Sequence, residues 1–147
     1  MIFGASRGDV GATNSIHDKL AWVYDTEVII GTSGEGHGTE APEPQIKGSV
    51  YGSGENGHTF HNASVTIHSG RVGITDTSID GGAAYGYRGN VYGGGCGTDK
   101  YVDTNDENKE KYNSKSGIVN GTTTVVINGG HVVRNLYGAG AMGSAVV

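Results

Sequence analysis

A short motif of one aliphatic residue, one aromatic residue and one glycine occurs four times in this sequence of 147 residues. Its copies begin at Ile2, Val50, Val91 and Leu136. A second motif, rich in β-branched residues, lies between them at 26–30, 63–67 and 123–127. Repetition with a period of about 20 to 50 residues is typical of solenoids, propellers and other arrays. The repeat therefore restricts the chain to architectures built from stacked or radially arranged units.

The spacing of the two motifs favours a solenoid. The shortest connections span 15 residues, from Val50 to Val65, and 11 residues, from Val125 to Leu136, so the minimal unit has 26 residues. A propeller blade needs about four strands, for which such a unit is too short. Longer connections indicate loops inserted at the corners, which stacked repeats tolerate. We expect these loops at 9–26, 31–47, 74–89 and 98–117.

Composition agrees with stacked strands. Val and Ile together number 25, Leu occurs twice, and 28 residues are Gly. β-Branched residues favour strands, and a narrow coil has little room for large inward side chains. We predict an all-β fold, a parallel β-solenoid (β-helix) of about three to four coils with loop insertions at the corners. It would form a single domain over 1–147, as a fragment of a longer repeat protein.

Parallel stacking predicts columns of equivalent side chains, spaced about 4.7 Å apart. We predict an aromatic, a valine and an isoleucine column as the structural ladder: Phe3, Tyr51, Tyr92 and Tyr137; Val28, Val65 and Val125; Ile30, Ile67 and Ile127. The glycine after each aromatic residue is expected to adopt a positive φ at a tight corner and to leave no room for a Cβ atom.

The Gly-rich segments 50–57, 90–101 and 129–144 resemble repeat tracts of very large adhesin-like surface proteins of gut Bacteroidota. The resemblance covers residues 48–144 well and the first 45 residues loosely. It implies a β-solenoid stalk that is exported, with an extracellular or cell-surface location. It supplies no catalytic motif. The first twenty residues contain charged side chains and no apolar run, so we expect no conventional signal peptide within this chain.

Two histidines, His58 and His61, are three residues apart. A Gly-rich turn precedes them and a strand is expected to follow, so the pair does not lie on a helix. We interpret both as exposed loop histidines, with metal ligation as the alternative.

The insertion at 98–116 is rich in charge and contains the alternation Asp103, Asn105, Glu107. Asn108 and Ser114 stand where a calcium loop of the EF-hand type needs Gly and Glu. We therefore interpret this segment as a solvated insertion, and leave calcium binding by it as an alternative.

No arrangement typical of a catalytic site was found in the sequence. Glu27 has no second carboxylate at the equivalent positions Ser64 and Thr124, so a pair for glycoside cleavage is lacking. Cys96 lies in a Gly-rich turn without the Lys-Ser or Lys-Thr of a phosphate-binding loop. We expect no enzyme activity and no cofactor.

The sequence favours a structural or adhesive cell-surface module, a stalk that presents variable loops. Its expected partners are neighbouring repeats of the parent chain, further copies of itself, or a surface glycan or protein. A net charge of −5 lacks the basic character of nucleic-acid binding, and no apolar run is long enough to span a membrane. The alternative is a carbohydrate-binding or carbohydrate-active β-helix, whose candidate contact residues are Tyr85, Tyr87, Tyr101 and Tyr112.

Overall fold

A computed structural model describes residues 1–8, 21–33, 43–74, 88–97, 101–103, 106–111 and 116–141. All regular secondary structure in these ranges is β, in fourteen strands of two to six residues. Strands from successive repeat units pair in parallel in four separate sheets. The prediction of an all-β fold with parallel stacked strands is thus confirmed. The described ranges include no helix with the length and apolarity to traverse a bilayer.

The aromatic motif of each unit forms one strand of a four-stranded sheet, in the order β1-β5-β9-β14. These strands are β1 (Ile2–Phe3), β5 (Val50–Tyr51), β9 (Val91–Tyr92) and β14 (Leu136–Tyr137). Each pairs in parallel with the next, aromatic residue against aromatic residue. The chain therefore returns to this sheet once in every unit, and we number the units 1 to 4 accordingly.

The β-branched motif forms a three-stranded sheet with the order β12-β7-β3. Its strands are β3 (Thr26–Ile30), β7 (Ala63–Ile67) and β12 (Thr123–Ile127), and all five positions pair without a register shift. Side chains alternate between the two faces of a strand, so Val65 and Ile67 are buried whereas Thr66 is half-buried. This sheet supplies much of the core.

Two smaller parallel sheets complete the arrangement. The first contains β2 (Trp22–Val23) and β6 (His58–Thr59); the second has the order β13-β8-β4, from β4 (Gln45–Ile46), β8 (Arg71–Val72) and β13 (His131–Val132). Strands β2 and β4 lie within segments that the sequence analysis assigned to loops, and that assignment was wrong for them. β4 was not recognised in the sequence because the residue before it is Pro44, whereas the residue at the equivalent position before β8 is Gly70.

The 98–116 insertion contains an antiparallel pair, β10 (Tyr101–Asp103) and β11 (Asp106–Lys111). The interpretation of this segment as a loop was therefore incomplete. β10 and β11 pair with each other in a sheet of their own, separate from the four parallel sheets.

The core consists of aliphatic side chains that face inward from three of the parallel sheets. Its buried members are Val28, Ile30, Val50, Val65, Ile67, Val72 and Val91. Ile2, Ile46, Val125 and Val132, at the two ends of the stack, pack against them while half-buried. Burial of such side chains stabilises the fold by about 1.5–3 kcal/mol each.

The glycines after the aromatic residues are required by close stacking of the units. A Cβ atom on Gly4, Gly52 or Gly93 would lie well inside 3.0 Å of the carbonyl oxygen of the equivalent glycine in the next unit. None of the three is among the residues with positive φ. The predicted lack of room for a Cβ is confirmed, and the predicted positive φ was wrong. At Gly138, at the end of the column, no atom of the described residues lies within 4 Å of such a Cβ.

Candidate functional site

The four aromatic residues of the predicted ladder form one continuous stack. Successive ring centroids, from Phe3 through Tyr51 and Tyr92 to Tyr137, are 4.8 Å apart, and successive ring planes differ by 4–10°. Tyr51 in the middle is 6% exposed, whereas Tyr137 at the end is 42% exposed. The stack contributes apolar burial and ring–ring contact, so its direct role is structural.

Burial raises the pKa of three ionisable side chains in and beside this stack. Burial raises the pKa of the Tyr51 and Tyr92 hydroxyls above their ordinary value of 10.0. Burial likewise raises the pKa of the Cys96 thiol, next to Tyr51. A reactive cysteine needs the opposite shift, because the thiolate is the nucleophile.

The aliphatic columns end at an open face of the stack. Ile30 and Ile67 are 4% and 1% exposed, but Ile127, their partner in the last strand of the sheet, is 38% exposed. Leu136, in unit 4, is 51% exposed. Among the described residues, exposed apolar side chains and the edge strands β12 and β14 thus lie together at this end, a combination that favours pairing with a further strand.

The described part of the structure does not bring together the tyrosines that the sequence suggested as sugar contacts. Tyr101 is the first residue of β10, and only its backbone is described. Tyr85, Tyr87 and Tyr112 lie outside the described ranges.

An exposed group of rings lies instead at the β2–β6 sheet; we call Trp22, Tyr24, Phe60 and His61 the aromatic cluster. Tyr24 is 64% and Phe60 60% exposed, with centroids 5.9 Å apart and planes inclined by 26°. Trp22 approaches Phe60 edge-on at 6.0 Å, and the His61 ring lies 5.2 Å from Tyr24. Tyr24 and Phe60 are therefore mostly open to solvent, whereas Trp22 is 37% exposed.

The local sequence explains why these rings point outward. Strand residues alternate between the two faces of a sheet. Val23 and Thr59 pair on one side, and Thr59, fully buried, contacts the Ser53 hydroxyl at 2.6 Å between oxygens. Their neighbours Trp22 and Tyr24 consequently project to the opposite side.

The two neighbouring histidines have different surroundings. His61 is exposed, as predicted, but His58 is only 7% exposed and its ring lies 4.8 Å from that of Trp22. The interpretation of His58 as an exposed loop residue was wrong, because it belongs to β6 and is covered by the preceding unit. No three His, Cys, Asp or Glu side chains converge as a metal site within the described part of the chain.

Polar groups border the aromatic cluster on one side. The Asp25 carboxylate accepts a hydrogen bond from the Asn62 backbone N–H at 2.8 Å, and the His61 Nδ1 atom lies 2.8 Å from the same oxygen. The Asn62 N–H holds the pKa of Asp25 below its ordinary value of 3.8, with a further contribution from His61. A fixed carboxylate therefore stands beside exposed rings.

The aromatic cluster was missed by the sequence analysis, although a signal for it exists. Residues 22–25 and 58–61 occupy matching places in units 1 and 2, and both combine outward rings with an inward β-branched residue. An alignment of units 1 and 2 that matches Thr26 with Ala63 places these two segments one residue out of step. The reason is that the offset between the units is 36 residues at β2–β6 and 37 at β3–β7.

Comparisons with family models, with curated proteins and with solved structures gave no match to this chain.

Proposed function

We propose that this chain is a non-catalytic structural and adhesive module. In this proposal the four parallel sheets are the walls of a β-solenoid with three to four coils, which forms part of a stalk in a larger extracellular or cell-surface protein. The observation that carries the proposal is the in-register stacking of four aromatic rings at 4.8 Å. It supports one repeated coil geometry along the whole described chain.

A stack of this kind suits a mechanical role. Each unit contacts mainly its neighbours, so length is added without a new core. Backbone hydrogen bonds link the units at several positions around the coil, such as the 2.9 Å bonds from Val50 N to the Asn90 carbonyl and from Gly52 N to the Tyr92 carbonyl. The result is a stiff rod whose corners can carry loops of varied length, such as the hairpin β10–β11.

We propose that the partners at the open end are further units of the same repeat, from the parent chain or from another copy. Gly138 supports this view. Its equivalents Gly4, Gly52 and Gly93 each lack space for a Cβ because the next unit is stacked on them, yet Gly138 has open space as far as the described residues extend. A glycine at this position leaves room for the carbonyl group of a further unit stacked on unit 4.

Association of the purified chain tests this proposal. We expect the wild-type mass from light scattering to rise with concentration. Gly138→Ala, whose methyl group would meet the carbonyl of an incoming unit, should reduce association while the circular dichroism spectrum is kept. Ile29→Ala is the matched control, because Ile29 is 57% exposed on the outer side of β3, away from the open end. Equal association of Gly138→Ala and wild type would contradict stacking at this end.

A further inference from the structure

We infer that the aromatic cluster, together with Asp25 and Asn62, is a binding site for a neutral saccharide, with a pyranose ring laid against Tyr24 and Phe60. This site goes beyond the scaffold role and does not depend on end-to-end stacking. It also differs from the tyrosines suggested by the sequence.

The accessible ring faces are the first reason. Tyr24 contacts Phe60 and His61, both from unit 2, so these contacts cover the side of Tyr24 that faces unit 2. With 64% of Tyr24 exposed, the opposite ring face is left to solvent. Exposed contiguous apolar surface is characteristic of interaction sites. The C–H face of a pyranose is a flat apolar partner of matching size for such a ring.

The polar border is the second reason. Binding sites for small ligands combine apolar surface with a few fixed polar groups that set orientation. The second carboxylate oxygen of Asp25 can accept a hydrogen bond from a sugar hydroxyl, while its first oxygen is held by the Asn62 N–H. Asp25 is half exposed, at 51% of its side chain, so it can reach a ligand on the adjacent rings.

Charge and ring orientation select the class of ligand. Among the described residues, the polar contacts that border the cluster involve the Asp25 carboxylate and no Lys or Arg, and the chain carries a net charge of −5, which disfavours phosphates and uronic acids. A quaternary ammonium is normally enclosed by several ring faces. Here the planes of Tyr24 and Phe60 are inclined by only 26° and form a surface, not a cage. A neutral sugar carries no negative charge and can lie flat on these rings, so it fits the site.

Trp22 provides a direct readout, because it is the only tryptophan of the chain and lies 6.0 Å from Phe60. We would titrate the full chain with cellohexaose, laminarihexaose, β-1,4-mannohexaose and xylohexaose, and with hexagalacturonate as the anionic comparison. At least one neutral oligosaccharide should change the Trp22 emission saturably. Hexagalacturonate should bind at least about tenfold more weakly, which corresponds to about 1.4 kcal/mol.

Variants assign the binding to this surface. Tyr24→Ala and Phe60→Ala should each weaken binding by about tenfold or more, a typical loss for one stacked ring. Tyr137→Ala, which removes an exposed ring outside the cluster, should bind as wild type does. Both cluster residues are exposed, so unchanged circular dichroism is expected and separates loss of binding from loss of fold. Absence of any response to the neutral oligosaccharides, preference for hexagalacturonate, or wild-type binding by both variants would overturn the inference.

Discussion

Replacement of Gly52 by Ala tests how closely the units are stacked. Gly52 is buried in the middle of the glycine column, and its added methyl group would meet the Gly93 carbonyl group and approach Val65 Cγ2 to 3.3 Å. The obstacle is backbone on the facing strand, which cannot turn aside as the tip of a flexible side chain can. Units 2 and 3 would have to separate locally.

The magnitude follows from the hydrogen bonds at this place. Opening the units by about 1 Å would stretch bonds of 2.9 Å beyond the usual N···O range of about 2.7–3.2 Å. Three backbone bonds are affected: two of 2.9 Å, from the N–H groups of Val50 and Gly52 to the carbonyls of Asn90 and Tyr92, and a longer one of 3.3 Å from the Ser53 N–H to the Gly94 carbonyl. At about 1 kcal/mol each, with overpacking of about 1–3 kcal/mol, the free energy of unfolding should fall by about 4–6 kcal/mol.

Urea unfolding followed by Trp22 fluorescence and by circular dichroism measures this loss. Gly138→Ala makes the same chemical change at the equivalent position of unit 4, where the described part of the chain places no atom within 4 Å of the new Cβ. It should change the stability of the chain by less than about 1 kcal/mol, in the stabilising direction if the stiffer unfolded chain dominates. Equal losses in the two variants, or a loss below about 1 kcal/mol for Gly52→Ala, would refute the argument from unit-to-unit contact.

Four further outcomes are expected. Tyr51→Ala should cost about 3–5 kcal/mol in urea unfolding through a cavity in the stack, and Tyr137→Ala clearly less because its ring is 42% exposed. Deletion of residues 103–115 should leave the thermal midpoint nearly unchanged, because within the described ranges β10 and β11 pair only with each other; a large drop would assign the segment to the core. Asp25→Asn should make the free energy of unfolding less dependent on pH in the acid range. The lowered pKa of Asp25 stabilises the fold above the ordinary value of 3.8, and this contribution disappears as pH falls through the folded-state pKa. Cys96 in the folded chain should react with a thiol reagent at neutral pH more slowly than in urea, since burial raises its pKa; equal rates would contradict this.

Much of the stacking was predictable from the sequence because the same alternation of inward and outward side chains recurs from unit to unit. The side chains of Val28 and Ile30 alternate with exposed ones at a period of two, and those of Val65 and Ile67 alternate with half-buried ones, so parallel pairing leaves one register that buries both pairs. The stacking of the aromatic residues then follows without further assumptions, because the same register places each of them beside its equivalent in the next unit.

The remaining elements depend on contacts that a single strand does not encode. β4 has two residues and is recognisable only from its pairing with β8. The conformation of Gly52 is ordinary, and its requirement for glycine comes from the carbonyl of another unit. The burial of His58 likewise results from its position between units, where Trp22 covers it. In each case the cause lies one unit away in the stack and 26 to 41 residues away in the chain.

The aromatic cluster exists because units 1 and 2 differ at one corner. Two residues separate Val23 from β3, whereas three separate Thr59 from β7, and the extra residue lets both Phe60 and His61 face Tyr24. Unit 3 has the same corner length as unit 2, yet it carries residues 120–122, Asn-Gly-Thr, in place of the rings. Regular repetition therefore accounts for the scaffold, and departure from repetition at a solvent-facing corner accounts for the proposed binding site. A sugar-binding surface confined to the first two units would leave the opposite end of the stack available for a further unit.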